Sequence, residues 1–204
     1  MFRDRPAIQT GTEGSRAAEE AIGSIRYIRE TMARAESFTA VPGWGGVAMG
    51  CVGVAAAVMA STREDASEWL LVWLAAAGIA AAIGIVSIVR KARRVQEPVL
   101  AGAGRKFLLG IAPAVFAASV LTMVMYQAGL AGRLPGMWLL MFGVAVVTGG
   151  FASIRLIPVM GLLFMLVGTI AFVVPVSWGD LLMAIGFGGI NIVFGIVIGL
   201  RHGG

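Results

Sequence analysis

The sequence predicts an all-α protein, a polytopic transmembrane helical bundle of six spans preceded by a cytoplasmic amphipathic helix. Three observations predict it. Hydrophobic residues make up 58% of the 204-residue chain and charged residues 13%, with a mean hydropathy of +0.89, outside the range of soluble domains. Apolar runs near 20 residues recur, the length needed at 1.5 Å rise to cross about 30 Å of hydrocarbon. The third is Arg90 to Lys106, RKARRVQEPVLAGAGRK, which packs six of the sixteen basic side chains between two apolar regions. A cation at the centre of a membrane helix costs about 2.5 to 3.5 kcal/mol, so this stretch stays in water and orients the rest.

From the start, residues 1–14 have little apolar content and carry Arg3, Asp4, Arg5, Pro6, Gly11 and Gly14, the composition of a flexible tail. They contain no apolar core of the kind a secretory signal needs. Residues 15–38 turn helical, with Ser15 as N-cap and Ala18, Ala21, Ile22, Ile25, Ile28, Met32 and Ala35 at three- and four-residue spacing. Glu19, Arg26, Arg29, Glu30, Arg34 and Glu36 occupy the other face. Such a stripe either lies at the membrane surface or against the protein's own cytoplasmic loops, or, approximating a heptad seam, forms a docking or dimerisation surface; Ile22, Ile25, Ile28 and Met32 are the candidate partner-docking residues.

The six spans are expected near residues 41–61, 69–89, 107–131, 135–154, 156–174 and 178–200, with 201–204 as a tail. Between the fourth and fifth only SIRLIP intervenes, where Arg155 can snorkel and Pro158 suits a first helical turn, so a tight hairpin is expected. Alternating sides, fourteen of the sixteen Lys and Arg fall on one side and only Arg63 and Arg133 on the other. The positive-inside rule then places both termini in the cytoplasm. The net charge of +5 does not point to nucleic acid, because the cations flank membrane segments and form no basic domain of their own.

Helix association in lipid relies on close packing of small residues. Gly46 and Gly50, Gly78 and Ala82, and Gly195 and Gly199 stand four apart, with Gly149, Gly150, Gly186, Gly188 and Gly189 as further narrow points. Pro113 should kink the third span. Trp69, Trp138 and Trp178 each open a span running the same way, read either as a headgroup belt or as three related hairpins. Asp180 reads as a first-turn carboxylate facing the helix dipole.

Reactive groups are sparse. No Asp, Glu, Lys, Arg or His falls deep in an expected span, and such residues ordinarily mark pumps and redox carriers. Asn191 and Thr122 are the candidate substrate contacts, with Ser119, Thr148 and Thr169 as further polar positions that commonly bond their own helix. Cys51 reads as a packing residue and His202 as a tail residue. No catalytic, cofactor or metal residue is expected. GAGR in the charged loop is not a phosphate-binding glycine loop.

The run YIRETMARAESFTAVPGWGGVAMG, Tyr27 to Gly50, resembles a segment of uncharacterised bacterial six-span integral membrane proteins. The resemblance implies a bacterial cytoplasmic membrane and six helices, and carries no activity. Two functional classes follow: a non-catalytic accessory, sensory or assembly component, or a facilitator or exporter of a small neutral or lipophilic compound. The expected partners are the lipid bilayer and either a protein or a second copy, met through the amphipathic helix or the glycine-rich spans.

Overall fold

The computed structural model describes residues 22–25, 43–95, 102–151 and 153–202. The chain divides into two units, Met1–Ser37 and Phe38–Gly204. In the first unit Ile22 to Ile25 form a helical turn with both isoleucines exposed; Ile28, Met32 and the tail at residues 1–14 lie outside the described residues.

The second unit is a bundle of six membrane-crossing helices. They are α1 (Gly43–Ala60), α2 (Ala66–Val95), α3 (Gly102–Gln127), α4 (Leu134–Gly150), α5 (Leu156–Val173) and a composite last span. That span runs through α6 (Gly179–Met183), a π-helical stretch Ala184–Ile190 and α7 (Asn191–His202). Alternation gives the bundle two chemically distinct ends. Arg90, Lys91, Arg93, Arg94, Arg105, Lys106, Arg155 and Arg201 gather at one, while all four described carboxylates, Glu64, Asp65, Glu68 and Asp180, lie at the other.

Helix ends differ from the expected spans: α2 runs on to Val95 and α3 starts at Gly102, both inside the charged stretch, and caps move two other ends. The second span begins at Ala66 rather than Trp69 because Asp65 caps it. Its Oδ1 accepts the Ser67 N–H at 2.7 Å and the Glu68 N–H at 3.3 Å, together with the Ser67 hydroxyl. These bonds, the Ser67 hydroxyl first, hold the exposed Asp65 carboxyl below its ordinary value. The third span stops at Gln127 rather than 131. Leu130 N–H reaches the Met125 carbonyl at 2.8 Å and Gly129 N–H the Tyr126 carbonyl at 3.1 Å. Gly129 takes φ +72° between them, the left-handed end that glycine tolerates. At the start of α5, Pro158 stands in the first turn, where its missing N–H costs nothing.

Glycine sets the packing distances. Along α1, Gly43, Gly46, Gly50 and Gly53 form one face against Gly188, Asn191, Gly195 and Gly199 of the last span. A Cβ at Gly43 would sit 2.1 Å from the Gly199 nitrogen, and one at Gly195 would sit 2.6 Å from the Val47 nitrogen. A second interlock joins α4 to α5 at heptad spacing. There a Cβ on Gly143 would fall 2.7 Å from the Gly161 carbonyl oxygen and one on Gly168 would fall 3.0 Å from the Gly136 oxygen. The third is single: a Cβ on Gly110 of α3 would fall 2.8 Å from the Gly149 backbone, and the Thr148 hydroxyl lies 2.6 Å from the Gly110 carbonyl oxygen. Gly78, by contrast, has nothing within 4 Å. Its stripe with Ala82 is exposed because α2 lies against α1 through a different face, where Gly84 meets Met49. Pro113 lies inside α3 on its exposed side, removing the N–H that would reach the Leu109 carbonyl.

Candidate functional site: the aromatic cluster at the acidic end

The most concentrated chemistry lies at the acidic end, inside the bundle. Trp69 and Trp73 stand one turn apart on α2, so their indoles share a face. Both donate to one atom: Trp69 Nε1 to Asp180 Oδ1 at 2.8 Å and Trp73 Nε1 to the same oxygen at 3.2 Å. Asp180 is the second residue of α6, so its carboxylate is held at the mouth of the last span, beside helix N–H groups that favour negative charge. Trp138, one turn into α4, stacks on Trp69 with centroids 5.5 Å apart and planes 9° from parallel. Its Nε1 donates to the Thr122 hydroxyl of α3 at 2.7 Å, and that hydroxyl donates to the Ala118 carbonyl at 2.7 Å.

Below this polar rim the cluster becomes apolar. Trp73 leans on Phe187 at 6.3 Å, and Phe187, Phe142 and Phe164 meet pairwise at 4.8 to 5.5 Å in tilted or edge-on contacts, the geometries that ring quadrupoles favour. Phe164 is fully buried, and Leu139, Met160, Leu182 and Met183 close the core around it. One carboxylate and three indoles thus tie α2, α3, α4 and α6 together near the surface, while three phenylalanines join α4, α5 and the π-helical stretch beneath.

The π stretch explains both Phe187 and Asn191. Its wider turn lets Phe187 enter the aromatic core while its neighbour Gly188 stays against α1, where a Cβ would strike Val54. At its end the Asn191 backbone N–H turns to the Gly188 carbonyl, and the Asn191 side chain donates from Nδ2 to the Phe187 carbonyl at 3.0 Å. Asn191 is buried beside Gly46. Bonding across to a neighbouring helix is the ordinary expectation for a membrane asparagine; this one repairs its own helix where the turn widens.

The structure does not bring the two candidate contacts together. Asn191 opens α7, on the last span, and Thr122 belongs to the rim on α3. Ser119 and Thr169 donate to carbonyls one turn back, Val115 at 2.9 Å and Met165 at 2.8 Å. Among the described residues no buried side-chain nitrogen or oxygen lacks a partner, and no three His, Cys, Asp or Glu side chains converge. Cys51 faces outward from α1, because the glycine face opposite takes the interhelix contact.

A headgroup belt accounts for only some of the tryptophans. Trp44 and Trp178 are exposed as a belt requires, but Trp69, Trp73 and Trp138 turn inward, with Trp73 only 4% exposed. The signal in the sequence is the four-residue spacing of Trp69 and Trp73 at the depth of the one carboxylate on the last span. Each arginine at the acidic end also has a structural role. Arg63 pairs with Glu68 at 3.2 Å, and Arg133 donates to the Phe172 carbonyl at 2.8 Å, capping the end of α5.

No protein-family model, curated protein or solved structure matches this chain.

Proposed function

We propose that this protein is a non-catalytic component of the bacterial cytoplasmic membrane, an accessory, sensory or assembly subunit with both termini in the cytoplasm. The observation that carries the reading is the commitment of Asn191 and Thr122. Both are engaged inside the protein: Asn191 bonds the Phe187 carbonyl and is only 4% exposed against α1, and the single hydroxyl proton of Thr122 goes to the Ala118 carbonyl while its oxygen accepts from Trp138, which speaks for a structural role over contact with a passing solute. The cytoplasmic placement of the termini rests on the fourteen-to-two division of Lys and Arg, and the bacterial membrane on the resemblance over Tyr27 to Gly50.

The glycine faces of α1 and the last span are occupied by one another. A protein partner or a second copy is therefore expected through the amphipathic segment at residues 15–38 and not through those faces. Two measurements test the reading. In proteoliposomes the purified chain should raise the flux of small neutral solutes no higher than empty vesicles do. In cells, a crosslinked pulldown should recover the same protein with the full chain and lose it when Met1 to Glu36 is deleted. Solute flux above the empty-vesicle rate, or recovery unchanged by the deletion, refutes the proposal.

A further inference from the structure

Three helix ends meet at the basic end of the bundle beside α1. Gly43 and Trp44 open α1 and pack against Gly199, so Leu200 and Arg201, the next residues of α7, stand at their level or just beyond it. On the other flank Gly84 of α2 meets Met49 of α1. The two helices are antiparallel, so five residues toward the basic end bring position 89 level with Trp44. Arg90 and Arg94 come next, one turn apart on the exposed face that continues from Val86. Trp44, Arg90, Arg94, Leu200 and Arg201 are all exposed, Trp44 at 54% and Leu200 at 74%. Lys91 and Arg93 have interactions of their own, which leaves Arg90, Arg94 and Arg201 to define the corner.

We propose that this corner is the seat of an anionic phospholipid headgroup. Two guanidinium groups on α2 and one on α7 stand near the end of α1 that carries an exposed indole, at the depth where the apolar spans end, and that is where the phosphodiester of a bilayer lipid lies. A guanidinium fork matches two phosphate oxygens at once. An indole prefers the glycerol level. Val86 and Leu200 supply apolar contacts for acyl chains on the hydrocarbon side. A soluble anion would have no use for those two side chains, and a nucleic acid would not reach arginines at the hydrocarbon boundary. The opposite end repels the same headgroup, since its four described carboxylates outnumber Arg63 and Arg133.

The test is lipid retention by the purified full chain, titrated in detergent with phosphatidylglycerol or phosphatidylcholine and counted by native mass spectrometry. Each arginine near an anionic lipid is worth roughly a fivefold preference. The wild type is expected to favour phosphatidylglycerol by about tenfold or more, and the triple variant Arg90→Gln/Arg94→Gln/Arg201→Gln to fall to about twofold or less. A comparison variant, Arg105→Gln/Lys106→Gln/Arg155→Gln, removes as much charge from the same end on other helices and should keep the preference. Should the triple variant fail to fold, the wild type carries the test alone: its preference should fade between about 0.1 and 1 M salt. Equal retention of the two lipids by the wild type, an equal loss in the comparison variant, or a preference that survives high salt overturns the proposal.

Discussion

Replacing Gly195 by alanine tests the glycine interlock that sets the spacing of α1 and the last span. The new Cβ would lie 2.6 Å from the Val47 nitrogen, 2.7 Å from the Gly43 oxygen and 3.0 Å from the Gly46 carbonyl carbon. All three are backbone atoms, so no side chain can turn aside. Ordinary carbon contacts lie at about 3.5 Å, which obliges the two helices to part by nearly an ångström. A radial gap of 0.5 to 1 Å forfeits roughly a quarter to a half of each dispersion contact. Overpacking of this kind costs about 1 to 3 kcal/mol. For a chain of this length that is a fall in Tm of roughly 2 to 12 °C, read by thermal unfolding in detergent. Gly78→Ala is the matched control, because nothing lies within 4 Å of that position. It should leave Tm unchanged or raise it slightly, as alanine is the better helix former by up to about 1 kcal/mol. A Gly195→Ala protein that melts with the wild type, or a Gly78→Ala protein that falls as far, would refute close backbone approach as the source of stability.

The remaining predictions concern the polar groups. Asp180→Leu removes the shared acceptor of Trp69 and Trp73; it should cost about 1 to 3 kcal/mol and alter tryptophan emission, while Asp180→Asn, which keeps an oxygen, should retain most of both. An unchanged Asp180→Leu spectrum would contradict the rim. Asn191→Leu deletes the donor to the Phe187 carbonyl and should lower stability by about 0.5 to 2 kcal/mol without changing solute flux in vesicles; a change in flux would give Asn191 a transport role. Because the Asp65 carboxyl is held below its ordinary value of 3.8, its cap contributes stability that is complete above that pH and is lost as pH falls through the lower folded value. The Tm gap between wild type and Asp65→Asn should therefore be present at neutral pH and close in acid; a gap that widens below pH 3.8 would reverse the assigned sign.

Architecture was legible in the sequence for an elementary reason. Hydrocarbon cannot bond backbone groups, so a span must be a helix about 20 residues long, and cations must remain outside it. Apolar run length and the placement of Lys and Arg therefore carry six spans and a charge-divided bundle without any tertiary information. Caps were less visible. Asp65 and Gly129 moved two helix ends because a side-chain oxygen and a left-handed glycine outweigh the run of apolar letters around them.

Depth and composition alone determined that this is a multi-pass helical protein with a basic end. Which way each side chain faces was decided only by the tertiary structure. Gly46 and Gly78 look alike in the sequence, yet one meets a backbone and the other open space, because rotation of a helix about its axis is set by its neighbours when lipid and protein interior are equally apolar. For the same reason Trp69 could be recognised as interfacial, but not that it and Trp73 turn inward. Their shared bond to Asp180, more than one hundred residues away in the chain, exists only once α2 and α6 lie side by side.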